Sequence, residues 1–284
     1  MVDRKLLIVA GSGDYPARMA LGARRAGVNH LSMIAIKGMT ARSTAALADE
    51  VAWFGIGQMR AIFDWAEASA CHWGVLAGQV RPAALFRTRF DDLSRQWLNE
   101  LGVKNAHTIF GKIAAEMEKR NIRVIPASCF MDESMPGVGV LTRRAPDERE
   151  RADIAFGHEC AMKICGMDIG QTLCVKDGMV LAVEAFEGTN RAILRGGKLG
   201  GKGQVVVKVA KEGHDMRFDI PVVGEKTIKT LRKSGASALA FQAGRLLMLD
   251  REKTVALADR YGIAIVGLDS GLPPAPLRPA EEGR

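Results

Sequence analysis

Short apolar runs alternate with amphipathic segments along the first 140 residues. The apolar runs have the length of buried strands and lie at residues 5–10, 31–36, 51–54, 74–77 and 123–125. Helical periodicity separates them over residues 16–26, 59–69 and 108–120. Strands that alternate with helices are typical of a parallel sheet covered on both faces. The first part of the chain is therefore predicted to be a parallel-sheet α/β domain.

The pattern changes after a charged stretch at residues 142–151, which contains a proline and continues into a helix. Two apolar runs, 172–175 and 179–185, then flank Asp177-Gly178, which is a strong hairpin signal. Later strands are predicted at 204–210, 238–241, 246–249 and 263–268, with helices at 227–233 and 252–261. We predict an α/β protein with domains at 1–142 and 143–269, the second of mixed sheet type. The proline-rich tail at 270–284 is expected to be flexible.

Composition narrows the class of protein. The chain has 284 residues, of which 48% are hydrophobic and 25% are charged, as in an ordinary globular protein of about two domains. No apolar run approaches the roughly 20 residues that a membrane-spanning helix needs. The five cysteines are odd in number and lack Cys-x-x-Cys spacing, and no signal peptide is expected, because residues 1–5 lack an apolar core and a cleavage site. A reduced cytoplasmic location is expected.

The charge distribution favours an anionic partner. The net charge is +8, from 40 basic and 32 acidic residues. Six basic residues and no acidic residue fall between positions 191 and 211, namely Arg191, Arg195, Lys198, Lys202, Lys208 and Lys211. We expect residues 195–203 to form a flexible basic loop, which either closes over an anionic substrate or is a plain surface loop. Lys208 and Lys211, on the following strand, are better placed to reach a diphosphate. Nucleic acid is not expected, because aromatic residues do not interleave this window.

A glycine-containing turn follows the first strand. Gly11, Ser12 and Gly13 precede a helix, where glycines let the backbone approach a phosphate and the helix N-terminus offers free N–H groups. Pro16 breaks the full G-x-G-x-x-G pattern, so a plain tight turn is an equal interpretation. Lys37, rather than an acidic residue, follows the second strand, which disfavours a dinucleotide oxidoreductase.

Two further segments of the first domain offer polar side chains. Gly78 and Gln79 end a strand and precede Arg81. The Gln79 side chain can hydrogen-bond to an amide-like base edge, and the Arg81 guanidinium can bind a phosphate. Asn105 is a good helix N-cap, and His107 follows it. For each segment a solvated surface role is the alternative.

The second domain carries the candidate acidic residues. Glu184 and Glu187 end a hairpin strand just before Thr189, and carboxylate oxygens are ligands that magnesium prefers. Asp219 lies between apolar residues and a proline–glycine turn, so burial would make its ionisation costly without compensation. Asp219 is therefore a candidate metal ligand or general base. The alternatives are a solvent-facing Glu187, a helix-capping Thr189 and a turn-stabilising Asp219.

Taken in order, these motifs resemble one family, the UDP-2,3-diacylglucosamine diphosphatases of the LpxI type. The resemblance runs nearly from end to end, and its specificity comes from the order and spacing of motifs that are individually weak. The motifs are Gly11-Ser12-Gly13 with Pro16, Gly78-Gln79-Val80 with Arg81-Pro82, Gly139-Val140-Leu141-Thr142, Asp168-Ile169-Gly170-Gln171, Val183-Glu184-Ala185 with Glu187-Gly188-Thr189, and Asp219-Ile220-Pro221 with Gly224.

The resemblance implies a Rossmann-like N-terminal domain on the nucleotide side and a catalytic C-terminal domain. It implies hydrolysis of UDP-2,3-diacylglucosamine to UMP and 2,3-diacylglucosamine 1-phosphate, a step of lipid A synthesis that uses Mg²⁺. Asp219 would be catalytic and, with Glu187, would hold the metal. Peripheral contact with the inner membrane and oligomer formation are both compatible with the sequence. The expected substrate-binding residues are Gly11, Ser12, Gly13, Gly78, Gln79, Arg81, Asn105, His107, Gln171, Glu184, Thr189, Lys208 and Lys211.

The sequence departs from the family at two acidic positions. Asn105-Ala106-His107 stands where the family commonly has Gly-Asp-Asp, and Asn190 stands where it has the Asp of Gly-Thr-Asp. Metal binding would then depend on Asp219, Glu184, Glu187 and the phosphates of the substrate. These departures motivate an alternative function, a non-catalytic relative that binds UDP-sugar lipids.

Overall fold

The computed structural model describes residues 4–80, 88–102, 106–210, 215–218, 220–269 and 271. Residue contacts divide the chain into two compact units. The first contains residues up to Met131 together with 215–218, and the second contains the other described residues. The division puts residues 132–142 in the second unit, since the strand Gly139–Val140 in this stretch pairs with residues 266–267 of that unit. The predicted boundary at 142/143 lies later in the chain than this division.

The first unit is built on a five-stranded sheet whose pairings are all parallel, in the order β3-β2-β1-β4-β5. Its strands are β1 Lys5–Ala10, β2 His30–Ile36, β3 Glu50–Phe54, β4 Trp73–Ala77 and β5 Arg123–Val124. Its helices are α1 Tyr15–Arg25, α2 Arg42–Ala45, α3 Met59–Ala68, α4 Asp92–Glu100 and α5 Ala106–Glu118. The parallel α/β prediction is confirmed, and the strand order is the one found in Rossmann folds.

The second unit contains a mixed sheet of order β6-β13-β11-β9-β7-β8 and a two-stranded sheet, β10-β12. The β9–β11 and β11–β13 pairings are parallel, whereas the β6–β13, β7–β9 and β7–β8 pairings are antiparallel. Its strands are β6 Gly139–Val140, β7 Thr172–Lys176, β8 Met179–Val183, β9 Val205–Lys208, β10 Val222–Val223, β11 Ala238–Gln242, β12 Leu247–Met248 and β13 Ala264–Leu268. Its helices are α6 Glu148–Gly166, α7 Thr189–Gly200, α8 Glu225–Ser234 and α9 Arg251–Tyr261.

The hairpin predicted around Asp177-Gly178 is present as β7 and β8. Both turn residues have positive φ, 51° at Asp177 and 73° at Gly178, as a two-residue hairpin turn requires. Asp153 on α6 fixes this turn by accepting hydrogen bonds from both backbone N–H groups, at 3.0 and 2.8 Å. The turn chemistry visible in the sequence therefore sets the β7–β8 pairing next to the turn, and a bulge between Cys174 and Val175 shifts the register beyond it.

The prediction of a flexible basic loop at 195–203 is wrong, because residues up to Gly200 belong to helix α7. The helix buries Ala192, Ile193 and Gly196 against the sheet. A Cβ on Gly196 would lie 2.8 Å from the Cβ of Cys174, and one on Gly197 would lie 2.8 Å from the Cβ of Ser234. The glycines therefore permit close helix packing here rather than mobility.

A buried ion pair joins the start of α6 to the chain before it. Glu150 is 1% exposed and accepts hydrogen bonds from the Arg144 guanidinium at 2.7 and 3.0 Å. Burial opposes ionisation of Glu150, but hydrogen bonds from Arg144 and from the backbone of Asp147 hold its pKa at about 2. Asp147 and Glu150 also form a capping box at the helix N-terminus.

Candidate functional site

The loops after β1 and β4 meet at the point where the strand order of the first sheet reverses. In open α/β sheets, ligands bind in the crevice outside the carboxyl ends of the strands at this point. The Gly11 N–H donates to the Ala77 carbonyl at 2.7 Å. Ser12 and Gln79 exchange backbone hydrogen bonds of 2.9 and 3.0 Å, and the Ser12 hydroxyl donates to the Gln79 carbonyl at 2.8 Å. The structure thus brings together the two loops that the sequence singled out separately.

Glycine is required for this close approach. A Cβ on Gly11 would lie 2.8 Å from the Gln79 carbonyl oxygen, which belongs to the backbone and has little freedom to move. Gly78 has a φ of +97°, and a Cβ there would lie 2.8 Å from Cγ of Pro16. Because the N–H groups of Gly11 and Ser12 bond within the protein, N–H donors for a ligand would come from Gly13 and the N-terminus of α1, which lacks a side-chain cap.

A cluster of polar side chains lies at the carboxyl end of β9 in the second unit. Lys208 is buried, and its ammonium donates to Oγ1 of Thr189 at 3.1 Å and to Oγ1 of Thr172 at 3.3 Å. Thr189, the first residue of α7, donates its hydroxyl proton to Oε1 of Glu184 at 2.8 Å. The sheet sets these positions, since Thr172 on β7 lies directly opposite Lys208 on β9. We call these four residues the Lys208 cluster.

The Lys208 cluster includes a polar atom whose bonding is incomplete. Oε2 of Glu184 is buried and has no hydrogen-bond partner among the described residues. An unpaired buried carboxylate oxygen is costly, and native proteins usually satisfy such an atom with water, an ion or a ligand. A buried ammonium that is linked to this carboxylate through the Thr189 hydroxyl gives the cluster the means to bind a phosphate or a hydrated cation. The cluster is therefore the strongest candidate for charge chemistry in the second unit.

Gln171 and Thr172 belong to the same stretch of chain. The Gln171 carbonyl accepts the N–H of Val209, next to Lys208, at 2.9 Å. The Thr172 carbonyl accepts the N–H of Glu184 at 2.8 Å. Sequence reasoning selected Gln171 but missed Thr172, which reads as an ordinary β-branched strand residue. Its only sequence signal is its place at the start of the hairpin, opposite a strand that ends in a lysine.

Glu187 lies in an ion pair rather than in the Lys208 cluster. Its carboxylate accepts a hydrogen bond of 2.5 Å from Arg195, which also donates to the Val183 carbonyl at 2.8 Å. The hydrogen bond from Arg195 lowers the pKa of Glu187. Within the described residues, no group of three or more His, Cys, Asp or Glu side chains is placed to hold a metal ion. A metal-binding role for Glu187 would require this ion pair to open.

Residues 215–218 return to the first unit, although they follow β9 in the chain. The Ala127 N–H donates to the Met216 carbonyl at 2.7 Å, and Arg217 donates to Glu118 at 2.6 Å. The ring of Phe218 stacks on Phe110 with a centroid distance of 6.0 Å. This segment anchors the chain immediately before the predicted catalytic residue.

Several predicted site residues lie outside the described part of the structure. They are Arg81, Asn105, Lys211, Asp219 and the side chain of His107. Their roles remain predictions from the sequence. Gly13 and the side chain of Gln79 are described and exposed, at the two loops of the first unit.

The first unit has the strand order of a Rossmann fold, and in the second a buried ammonium contacts two hydroxyls, one of which contacts a carboxylate. Together these features define a two-unit α/β protein suited to a phosphorylated ligand. The chain belongs to the LpxI family. The LpxI N-terminal domain matches residues 5–134, and the LpxI C-terminal domain matches residues 137–266.

A curated relative, the UDP-2,3-diacylglucosamine pyrophosphatase LpxI of Caulobacter vibrioides, is 30% identical over 281 residues, covering 94% of this chain and 98% of the relative. Two solved structures show weak likenesses. The biotin carboxylase domain of a thermophilic 2-oxoglutarate carboxylase is 16% identical, covering 60% of this chain and 34% of that chain, with a TM-score of 0.27. Rhizobium etli pyruvate carboxylase is 13% identical, covering 71% and 18%, with a TM-score of 0.29. Neither likeness supports a conclusion about fold or function.

Proposed function

We propose that this protein hydrolyses the diphosphate bond of UDP-2,3-diacylglucosamine, releasing UMP and 2,3-diacylglucosamine 1-phosphate for lipid A synthesis. Membership of the LpxI family and the name of the Caulobacter vibrioides relative support this substrate. The structural observation that carries the proposal is the Lys208 cluster, in which the Thr189 hydroxyl links a buried ammonium to a carboxylate that has one unsatisfied oxygen. Such a group of charges is expected where a diphosphate is bound and cleaved.

Diphosphate hydrolysis mainly requires charge neutralisation and positioning of water. In the proposed reaction, water forms a new P–O bond at the sugar-side phosphorus. The bond from that phosphorus to the bridging oxygen breaks, and the bridging oxygen leaves with UMP. Lys208 would neutralise phosphate charge, with Lys211 and Arg81 as further predicted cations. Asp219 would orient the attacking water or bind the metal, as the resemblance implies.

The first unit would hold the nucleotide. Gly13 and the uncapped N-terminus of α1 lie beside the paired loops and offer backbone donors to a phosphate. The exposed Gln79 side chain offers an amide to the base. The rigid backbone pairing of Ser12 with Gln79 would keep both groups in place as the nucleotide binds.

Magnesium is the proposed cofactor, and when bound it would withdraw charge from the diphosphate. Oε2 of Glu184 is the described oxygen that fits a metal best, because it is buried and unpartnered. Glu187 fits only after separation from Arg195, and Asp219 enters through the resemblance alone. We therefore expect the phosphates of the substrate to supply much of the coordination.

The decisive assay measures UMP release from UDP-2,3-diacylglucosamine by the purified protein, with magnesium and with EDTA. Turnover in magnesium that is lost in EDTA and in Asp219→Ala is the expected result. Hydrolysis in ¹⁸O-labelled water should place the label in 2,3-diacylglucosamine 1-phosphate, and a label in UMP would refute attack at the sugar-side phosphorus. Stable binding of the substrate without UMP release would instead identify the non-catalytic relative.

A further inference from the structure

A cavity of about 770 Å³ opens on the first unit at the carboxyl end of β2 and beside the edge strand β3. It adjoins the end of β1, because Thr40 in its lining donates to the Ala10 carbonyl, and the proposed hydrolysis does not use it. Its lining combines two basic residues with apolar and small ones. The lining residues that matter are Lys37, Arg42, Ala45, Val51 and Trp53.

Among the described residues, the outer edge of the sheet is incompletely covered, and this leaves the cavity open. Side chains alternate along β3, and Phe54 packs against Trp65 of α3 on one face with a centroid distance of 6.5 Å. Val51 and Trp53 therefore lie on the opposite face, where the neighbouring helix α2 is only four residues long. Both remain 36% exposed, which leaves an apolar surface at the rim of the sheet.

Lys37 and Arg42 place positive charge next to this apolar surface. Both side chains are exposed, and neither forms an ion pair or donates a side-chain hydrogen bond to any other described residue. By contrast, Arg24 nearby in the chain is paired with Asp49 at 2.5 Å. The two cations are thus available to an external anion.

The lining favours a lipid surface over a nucleotide. A nucleotide would need polar groups aimed at its base, and Thr40 is the only uncharged polar side chain in the described lining. Its hydroxyl is already engaged, accepting from the N–H of Ile36 at 2.8 Å and donating to the Ala10 carbonyl. Basic side chains next to an exposed tryptophan and valine are typical of a surface that contacts a membrane. At such a surface the basic groups bind lipid phosphates, and the indole enters the headgroup region.

We propose that this cavity docks the protein on a membrane that contains anionic phospholipid, with Lys37 and Arg42 contacting headgroup phosphates and Trp53 inserted beside them. The need for such docking rests on the proposed function, since a substrate with two acyl chains resides in a membrane. The chemistry of the surface itself is independent of that function. The docking would hold the first unit at the surface from which the substrate is taken.

Vesicle flotation tests the proposal with the full chain and two lipid compositions, phosphatidylcholine alone and phosphatidylcholine mixed with phosphatidylglycerol. The wild type should float with the anionic vesicles, and high salt should weaken binding. Lys37→Glu/Arg42→Glu should weaken binding at least about 25-fold, since each basic side chain near an anionic surface contributes about fivefold. Trp53→Ala should weaken it about tenfold through lost interfacial contact.

A matched control changes the net charge by the same amount elsewhere. Lys226→Glu/Lys253→Glu alters exposed positions on α8 and α9 and should bind vesicles within about threefold of the wild type. Equal losses of vesicle binding in both double variants would overturn the proposal. Full competition by free glycerol phosphate would also overturn it, because it would indicate a site for soluble anions.

UMP release from detergent-dispersed substrate should be unchanged in Lys37→Glu/Arg42→Glu. If no variant and no wild-type protein releases UMP while vesicle binding behaves as expected, the proposed hydrolysis fails and the docking surface stands.

Discussion

The candidate binding regions of the two units are built from different parts of the chain. In the first, the crevice between the loops after β1 and β4 is formed by backbone, with Gly11 packed against Gln79 and hydrogen bonds closing the loops. In the second, the Lys208 cluster is formed by side chains: a buried ammonium contacts two hydroxyls, and one of these hydroxyls contacts a carboxylate. The crevice of the first unit is therefore defined by backbone shape, and the Lys208 cluster of the second unit is defined by charged and polar side chains.

This difference has consequences for how each region responds to change. A site made of closely packed backbone depends on the absence of a Cβ and is insensitive to protonation. A site made of buried charges depends on each partner, because removing one leaves another unsatisfied in a medium of low polarity. Substitutions in the second unit should therefore act mainly on turnover and pH dependence, and substitutions in the first mainly on nucleotide affinity.

The largest effect is expected at Lys208. Lys208→Met keeps the length of the side chain and removes the charge, so it should lower the rate of UMP release roughly 10²- to 10³-fold, the range found when one charged or polar contact to a developing anion is lost. Steady-state kinetics checks this result. The matched control Lys198→Met removes an exposed charge from α7 and should leave the rate within about twofold of the wild type. Equal rates in the two variants would remove Lys208 from the chemistry.

The sequence predicted most of the fold because local signals there are strong. The Asp177-Gly178 turn, and the αL glycines Gly235 and Gly262 at the ends of α8 and α9, mark element boundaries directly. The basic segment at 195–203 departs from its prediction, because its glycines suggest a mobile loop whereas residues up to Gly200 are helical. Their real role is packing against Cys174 and Ser234, and that depends on contacts far apart in the chain.

The candidate site was predictable only in part. Glu184, Thr189 and Lys208 could be selected by chemical type, and the sheet brings them together as a cluster. Thr172 was missed because its importance follows from β7–β9 register, which no local pattern specifies. The return of residues 215–218 to the first unit was also invisible, since it rests on tertiary contacts such as Phe218 on Phe110.

The ion pair of Glu150 with Arg144 is a second group of buried charges in the second unit, and it should affect folding stability rather than turnover. Glu150→Gln should lower the free energy of unfolding by about 2 kcal/mol, because it leaves a partly buried guanidinium without its carboxylate. The folded pKa of about 2 lies below the ordinary value of 4.5, so the pair stabilises the fold fully above about pH 4.5. That stabilisation is lost as the pH falls from 4.5 towards 2. Urea unfolding across this range should show a smaller loss in the variant, and parallel curves for both proteins would contradict the assignment.

Gly11→Ala tests the backbone crevice of the first unit. The new methyl group would press on the Gln79 carbonyl and separate the loops, so the affinity for UMP should fall about tenfold, a cost of about 1.4 kcal/mol. Gly27→Ala is the control, because it introduces strain at a φ of +88° with no atom within 4 Å of the new Cβ. Isothermal titration with UMP measures both variants. A loss of affinity in the control equal to that in Gly11→Ala would show that general destabilisation, and not loop separation, is the cause.

Thr172→Val tests whether the side chains of the second unit act as a connected group. Valine keeps the shape and strand preference of threonine but removes the hydroxyl that accepts a hydrogen bond from Lys208 at 3.3 Å. We expect kcat to fall about fivefold with little change in KM, because Thr189 is then the ammonium's one remaining partner among the described residues, and a hydrogen bond contributes about 1 kcal/mol net. Thr172→Ser restores the hydroxyl and should restore kcat, which a merely space-filling role would not predict. If the serine variant is as slow as the valine variant, Thr172 supports the sheet and does not position Lys208.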